Sequence, residues 1–236
     1  IRKQVKILII PFIIGIAIVI YNVVRMPRFN MKFVYDMVFQ VCIVLLVVVF
    51  LYYIRVTLKN MTSKKLLVVV DYQKDFVDGA LGAPGTKELE PIIVEKIEQY
   101  KKDNQDVIFT KDTHYTNYLT TREGKHLPVE HCIIDSEGHA LYGKVADYEK
   151  DAKKVFNKTT FGSRELAKYI SRSDYEEVEF CGLVSNICVL SNIIMTQTFN
   201  EKVEIFVDLK ATKGLSDEVD STFKTYLQNI TVNIKE

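Results

Sequence analysis

Hydrophobic positions follow two different regimes along the chain. Residues 7–24 and 37–54 are apolar runs without charge. Each spans roughly 18 residues, enough to cross a hydrocarbon core about 30 Å thick as a helix. Neither run has the polar face of a helix in a soluble bundle. Pro11, Gly15 and Gln40 are tolerated in membrane helices, and Tyr21, Tyr35, Tyr52 and Tyr53 lie near the ends, where aromatic rings favour the interface. A short connection at 25–32 joins the runs. The pattern predicts a transmembrane helical hairpin within residues 1–58, with spans at about 7–24 and 35–55. A cleaved signal peptide fits poorly, because a second full-length run follows the first. Arg2, Lys3 and Lys6 precede the first run and Arg55, Lys59, Lys64 and Lys65 follow the second, against Arg25, Arg28 and Lys32 between them. The excess of basic residues at the ends predicts a two-span membrane protein with both termini on the cytoplasmic side.

From residue 64 the pattern changes. Leu66, Leu67, Val68, Val69 and Val70 form a continuous apolar run, as in a strand buried on both faces. Further strands are predicted at 107–110, 155–156, 178–181, 203–207 and 231–234. Helical spacing occupies 87–102, with Thr86 as N-cap, then 163–171, a segment opening near Asn186, and 216–227. Strands alternating with helices imply right-handed crossovers and an α/β three-layer sandwich around a mostly parallel six-stranded sheet. Residues 64–236 form this second domain, large enough to bury its own core. The stretch 113–148 is long and polar, with no clear period, and loops of that length are often functional.

Composition narrows the function classes. Lys and Arg total 31 and Asp and Glu 30, a net charge of +1 that points to no polyanionic partner. The basic residues are dispersed, so nucleic-acid binding is not expected. Cys42, Cys132, Cys181 and Cys188 form no CxxC pair or disulfide framework, which suits a reducing compartment.

Reactive side chains collect at the predicted strand ends. Asp71 follows the first strand, Asp112 and His114 the second, Lys158 the third, and Cys188 lies beyond the fourth. In a parallel sheet these ends share one edge, where open α/β sheets bind ligands. Cys188 in the first turn of a helix gains from unpaired N–H groups and the helix dipole, which favour a thiolate. A buried structural cysteine is the competing explanation, as an ordinary helix cap is for Asp71 and a solvated charge for Lys158. Asp112 and His114, two apart at a strand end, point to one side. With Glu123 and His131 they offer imidazole and carboxylate donors suited to Zn²⁺, Mn²⁺ or Fe²⁺. His126 and His139 are lesser candidates, and polar loop groups bonded to backbone are the plain alternative.

The motifs Asp71-Tyr72-Gln73-Lys74-Asp75-Phe76, Lys111-Asp112-Thr113-His114, Leu127-Pro128-Val129-Glu130-His131-Cys132, Phe156-Asn157-Lys158 and Gly182-Leu183-Val184-Ser185-Asn186-Ile187-Cys188 resemble, in the same order, those of the isochorismatase-like cysteine hydrolases, and most nearly the nicotinamidases. The resemblance runs from about residue 64 to the end. It implies a catalytic triad of Asp71, Lys158 and Cys188, and metal ligands Asp112, His114 and His131 with Glu123 as an acidic fourth. It implies a cis peptide between Leu183 and Val184, and an oxyanion hole from the backbone N–H groups of Val184 and Cys188. Phe76 and Phe161 are candidate pocket walls by position. Isochorismatases proper lack the metal cluster, so Asp112, His114 and His131 argue for the nicotinamidase side. Where nicotinamidases continue past the His-Cys pair into a Gly-Thr turn, this chain has Asp135-Ser136-Glu137-Gly138, so its pocket is expected to differ in shape.

The expected function is a membrane-anchored, metal-assisted cysteine amidohydrolase that converts nicotinamide and water to nicotinate and ammonia through a thioester. The expected partners are a small-molecule amide, a divalent metal with zinc foremost, and the membrane; a homo-oligomer is left open. Two alternatives stand beside it: a related hydrolase of another small amide or ureido compound, and a non-catalytic membrane-tethered module that binds a ligand.

Overall fold

The computed structural model describes Tyr21, residues 31–61 and residues 63–235. The chain divides into two compact units, one ending at residue 62 and the other Ser63–Glu236. In the first, helix α1 (Met31–Met61) contains a window, Val34–Ile54, long and apolar enough to cross a membrane, none of it buried inside the chain. The span expected at 35–55 falls on this helix; the one expected at 7–24 lies, apart from Tyr21, outside the described residues.

The second unit is built on six strands: β1 (Lys65–Val70), β2 (Asp106–Asp112), β3 (Lys154–Lys158), β4 (Glu177–Leu183), β5 (Glu204–Lys213) and β6 (Asn233–Lys235). Their order is β3-β2-β1-β4-β5-β6, and every pairing is parallel. Four helices cover the sheet: α2 (Leu89–Lys102), α3 (Arg164–Ser171), α4 (Leu190–Phe199) and α5 (Asp217–Asn229). Strand alternation sorts the core into two layers. Leu67 and Val69 of β1 pack with Ile93 and Ile97 of α2. Leu66, Val68 and Val70 face the other way, onto Leu166, Ile193, Phe223 and Leu227 of α3, α4 and α5. The run from Leu66 to Val70 is fully buried, each side chain contributing about 1.5–3 kcal/mol of apolar burial.

Helix boundaries follow local hydrogen bonding. The Ser163 hydroxyl caps α3 by accepting from Leu166 N at 3.1 Å, and Ser216 caps α5 through Val219 N at 3.3 Å. Thr86 does not cap α2 as expected. Its hydroxyl donates to Val77 O at 3.0 Å and Ala83 O at 2.7 Å, tying down the preceding loop, and the helix begins later, at Leu89. Strand β5 runs well past its predicted end. A register shift after Phe180 lets Thr212 and Lys213 pair with Gly182 and Leu183, and Thr212 Oγ1 donates to Gly182 O at 2.8 Å.

Gly182 is where β4 turns toward the site. Its φ is +105°, and a Cβ there would sit 2.1 Å from Val70 O. Both features restrict the position to glycine. Gly182→Ala is expected to destabilise the fold by about 2 kcal/mol or more, read as a fall in melting temperature. An unchanged melting temperature would mean that β4 can move off β1 at this point.

Candidate active site

The parallel sheet brings Asp71, Asp112, Lys158 and Cys188 together at the carboxyl edge of four adjacent strands. Asp71, immediately after β1, takes a left-handed φ of 45°, a conformation aspartate tolerates better than most residues. Its N–H donates to Thr110 O at 3.1 Å, and its Oδ1 accepts from Thr110 Oγ1 at 2.7 Å. Lys158 closes β3, and its ammonium lies 2.6 Å from Asp71 Oδ2, 3.3 Å from Asp112 Oδ1 and 3.5 Å from Cys188 Sγ. The contact with Asp71 Oδ2 is short but off-line, so this oxygen has an ion-pair partner and no aligned hydrogen bond. The Asp71 carboxylate also acts electrostatically on the Cys188 thiol, favouring its protonated form.

Cys188 does not sit in a regular α-helical turn, as the sequence suggests. Val184 O accepts from Ile187 N at 3.1 Å and from Val189 N at 3.2 Å. The second bond spans five residues and makes Ser185–Val189 a π turn ahead of α4; such widened turns recur at functional sites. The peptide between Leu183 and Val184 is cis. Cys188 is 4 % exposed and packs with Val189 and Ile193. Its sulfur is therefore both part of the core and in contact with the buried charges.

Electrostatics set the resting state. Burial acts to lower the Lys158 pKa, but Asp71, Cys188 and Asp112 outweigh it and hold the ammonium charged well above the usual lysine range. Burial pushes the Cys188 thiol well up, against the pull of Lys158, so the sulfur rests as a neutral thiol. Burial also raises the Asp71 carboxyl, opposed by Lys158. For Asp112 the burial penalty is overcome by the Lys158 charge and by bonds to His114 and His131, which hold its carboxyl well below the normal range.

Asp112 faces a second group with its other oxygen. Oδ2 lies 3.0 Å from His114 Nε2 and 3.5 Å from His131 Nε2, and Glu123 Oε1 is 3.7 Å from each of those nitrogens. One ligand atom from each of the four residues lies within 4.8 Å of the others. His131 Nδ1 donates to Val129 O at 2.8 Å, a backbone contact that leaves Nε2 as the lone-pair nitrogen turned to the group. His126 is exposed, and His139 pairs with Thr113 Oγ1 at 2.9 Å; neither joins the cluster. Phe76 is buried edge-on to His131, ring centres 5.6 Å apart. Phe161 is 40 % exposed, and its position is known from its carbonyl, which accepts from Asn192 Nδ2 at 3.3 Å.

Three supporting residues escaped the sequence reading. Gln73, fully buried, accepts from Asp112 N at 2.7 Å and donates to Asp112 O at 2.9 Å, clamping the backbone of the shared carboxylate. Tyr118 lies against both imidazoles, with ring centres 4.6 Å and 5.0 Å away. Asn192 donates to Cys188 O at 2.8 Å. Gln73 stands inside a quoted motif, which was a usable signal; the other two had none. The Asp135–Gly138 departure also has a physical correlate. Asp135 takes φ 64°, and a Cβ at Gly138 would lie 2.0 Å from Asp75 Oδ2, an oxygen that accepts from Cys132 N at 2.7 Å. A cavity of about 190 Å³ opens beside His114, Glu123, Thr159 and Thr160.

Lys158→Met is expected to destabilise the chain at pH 7 by roughly 3–5 kcal/mol, because two buried carboxylates lose their counter-charge. Without the ammonium, the folded-state pKa of Asp71, already raised by burial, rises further, and that of Asp112 rises above its unfolded value. The folded variant then takes up protons first as pH falls, so the penalty should shrink between pH 7 and pH 5. Melting temperatures of both proteins across that range check this; a penalty that grows toward pH 5 would contradict it.

An isochorismatase domain model matches residues 65–234. The nicotinamidase of Saccharomyces cerevisiae is 23% identical over 215 residues, covering 72% of this chain and 98% of that protein. The crystal structure of a nicotinamidase/pyrazinamidase from Bacillus subtilis superposes with a TM-score of 0.67 at 25% identity, covering 73% of this chain and 100% of the other. A pyrazinamidase of Pyrococcus horikoshii, solved in complex with zinc, has the same fold, with a TM-score of 0.65 at 24% identity over 73% of this chain and 99% of that one.

Proposed function

The chain belongs to the isochorismatase family, and from that premise we propose that it is a cysteine amidohydrolase that cleaves the C–N bond of a small carboxamide, with nicotinamide as the leading substrate. The observation that carries this reading is the Lys158 ammonium, 2.6 Å from Asp71 and 3.5 Å from Cys188 Sγ. These are the groups needed to activate a thiol by moving its proton to a carboxylate. The similarity to nicotinamidases from yeast and Bacillus subtilis supports the choice of substrate.

Each residue then has a role. Asp71 takes the proton of Cys188 as the sulfur attacks the amide carbon. Lys158 holds the sulfur's developing charge. The N–H groups of Val184 and Cys188 receive the tetrahedral oxyanion, each donor typically worth about 3–4 kcal/mol. Asp71 hands the proton to the departing nitrogen, and ammonia leaves. Water attacks the resulting thioester, giving up its proton to Asp71; the acid leaves, and the sulfur regains a proton from Asp71. Phe76 and Phe161 wall the ring of the substrate.

The Asp112, His114, Glu123 and His131 group fits a divalent cation. Two imidazoles and two carboxylates are a donor set for zinc, with manganese or iron as alternatives. Asp71, Asp112 and Glu123 together also exceed the single ammonium in charge, a surplus that a cation would balance. A metal bound there supplies a Lewis-acid anchor that orients a ring nitrogen or carbonyl of the substrate. Turnover of another small amide or a ureido compound is the second reading, favoured by the altered turn at Asp135–Gly138.

Cys188→Ala is expected to abolish ammonia release, at least about 10³-fold, while thermal stability changes little. Assay against nicotinamide and a panel of small amides reads the outcome. Turnover that survives the substitution would remove the sulfur from the reaction. Failure with nicotinamide beside turnover of another amide would select the second reading.

In the same reading, residues 1–58 are a two-span membrane hairpin that tethers the 64–236 domain on the cytoplasmic side. The unburied apolar window Val34–Ile54 supports this. So does the family match, which spans residues 65–234, while 72–73% of the chain covers its relatives almost end to end. A fragment beginning at Ser63 is expected to be soluble without detergent, folded and active. Aggregation of that fragment, with the full chain well folded, would make residues 31–61 part of the core.

A further inference from the structure

We propose that Asn192 is a positioning residue that fixes Phe161 as a wall beside the Cys188 sulfur and so selects for amides carrying a flat ring; this rests on the roles given above to Cys188 and Phe161. Asn192 lies on α4, four residues beyond Cys188, and is 1% exposed. Both polar atoms of its amide are bonded to two segments of backbone. Nδ2 donates to Cys188 O at 2.8 Å and to Phe161 O at 3.3 Å. Oδ1 accepts from Ser163 N at 2.9 Å. One nitrogen therefore holds the carbonyls of the nucleophile and of the wall within about 6 Å of each other.

The loop between Lys158 and α3 is pinned to the same helix between those bonds. A Cβ at Gly162 would lie 2.4 Å from Met195 Sδ and 3.3 Å from Ser191 O, so the chain passes α4 at contact distance. Ser163 then starts α3 by capping Leu166 N. Phe161 is anchored through its carbonyl and the two residues that follow, yet the residue is 40 % exposed. That is the arrangement of a wall: fixed main chain, and a face left for a ligand. Asn192 ties the backbones of Phe161 and Cys188 together, independently of the Lys158 contact with the sulfur.

The test uses the full chain and two thiol reagents, iodoacetamide and its ring-bearing analogue iodoacetanilide, with modification of the Cys188 peptide followed by mass spectrometry. The wild-type protein should favour the ring-bearing reagent. Asn192→Leu, with the same branching but unable to hydrogen-bond, should reduce that preference by about tenfold, as should Phe161→Ala, and the double variant should lose no more than either alone. With nicotinamide, Asn192→Leu should raise KM far more than it lowers kcat. Equal slowing of both reagents, or additive losses in the double variant, would overturn the proposal. Should Asn192→Leu fail to fold, Phe161→Ala decides alone, and an unchanged preference counts against it. A wild-type chain with the reagent preference but no amide turnover would sink the functional reading and leave this one standing.

Discussion

Removing a lysine ammonium from water carries a penalty of several kcal/mol unless opposite charge meets it at close range. Lys158, with its side chain 2% exposed, meets that demand with Asp71 at 2.6 Å and Asp112 at 3.3 Å. The remaining features of the site follow from this cation. Two buried carboxylates against one ammonium leave negative charge over, and Asp112 carries it to His114 and His131 on its second oxygen. The sulfur-bearing half of the site and the candidate metal group are thus one electrostatic unit joined through a single carboxylate. A change to either half should be felt by the other through Asp112.

Sheet register is what makes the unit possible. The order β3-β2-β1-β4 lines up Lys158, Asp112, Asp71 and the Cys188 turn on consecutive strands. Asp112 and Lys158 are direct partners across β2 and β3. Val70, just before Asp71, pairs with Thr110 on one side and Gly182 on the other. A slip by one residue in any of these pairings would send the side chain to the opposite face. The fully buried run Leu66–Val70 opposes such a slip, since its alternate residues fill two different core layers. Gln73 adds a lock beyond the strand end, binding both backbone groups of Asp112 where β1 no longer can.

Much of this was legible in the sequence, and the failures have physical causes. Apolar runs marked β1, β2 and β4 most clearly, because these strands are buried almost throughout and show their hydrophobicity without interruption; the edge strands β3 and β6 carry only short apolar stretches. Motif order placed Asp71, Asp112, His114, Lys158 and Cys188, and topology gathered them. The far half of β5 was missed because its pairing with Gly182 and Leu183 depends on a register shift and on Thr212, in a polar run of sequence with no strand pattern. Thr86 looked like a helix cap, but tertiary acceptors at Val77 and Ala83 took its hydroxyl. The π turn at Cys188 and the clamp of Asn192 could not be foreseen. The first is a five-residue backbone bond with no sequence signature, and the second depends on how α4 meets the loop after Lys158, a contact between segments about thirty residues apart that no local spacing encodes.

The raised pKa of the Cys188 thiol is compatible with a nucleophilic role once the charges are considered together. At rest Lys158 is already compensated by Asp71 and Asp112, so a thiolate 3.5 Å away would add a further negative charge to a buried site with a surplus of them. Moving the thiol proton to Asp71 adds no charge to the site. The carboxylate becomes neutral, the ammonium loses its closest partner, and the sulfur becomes the anion best placed to replace it. Charge on sulfur is therefore tied to proton transfer to Asp71, and burial, which penalises the free thiolate, works in favour of the paired exchange. A sulfur controlled this way stays protonated until an electrophile arrives to share its charge. That behaviour suits the nucleophilic role proposed for Cys188, whose sulfur sits among hydrophobic side chains rather than in open solvent.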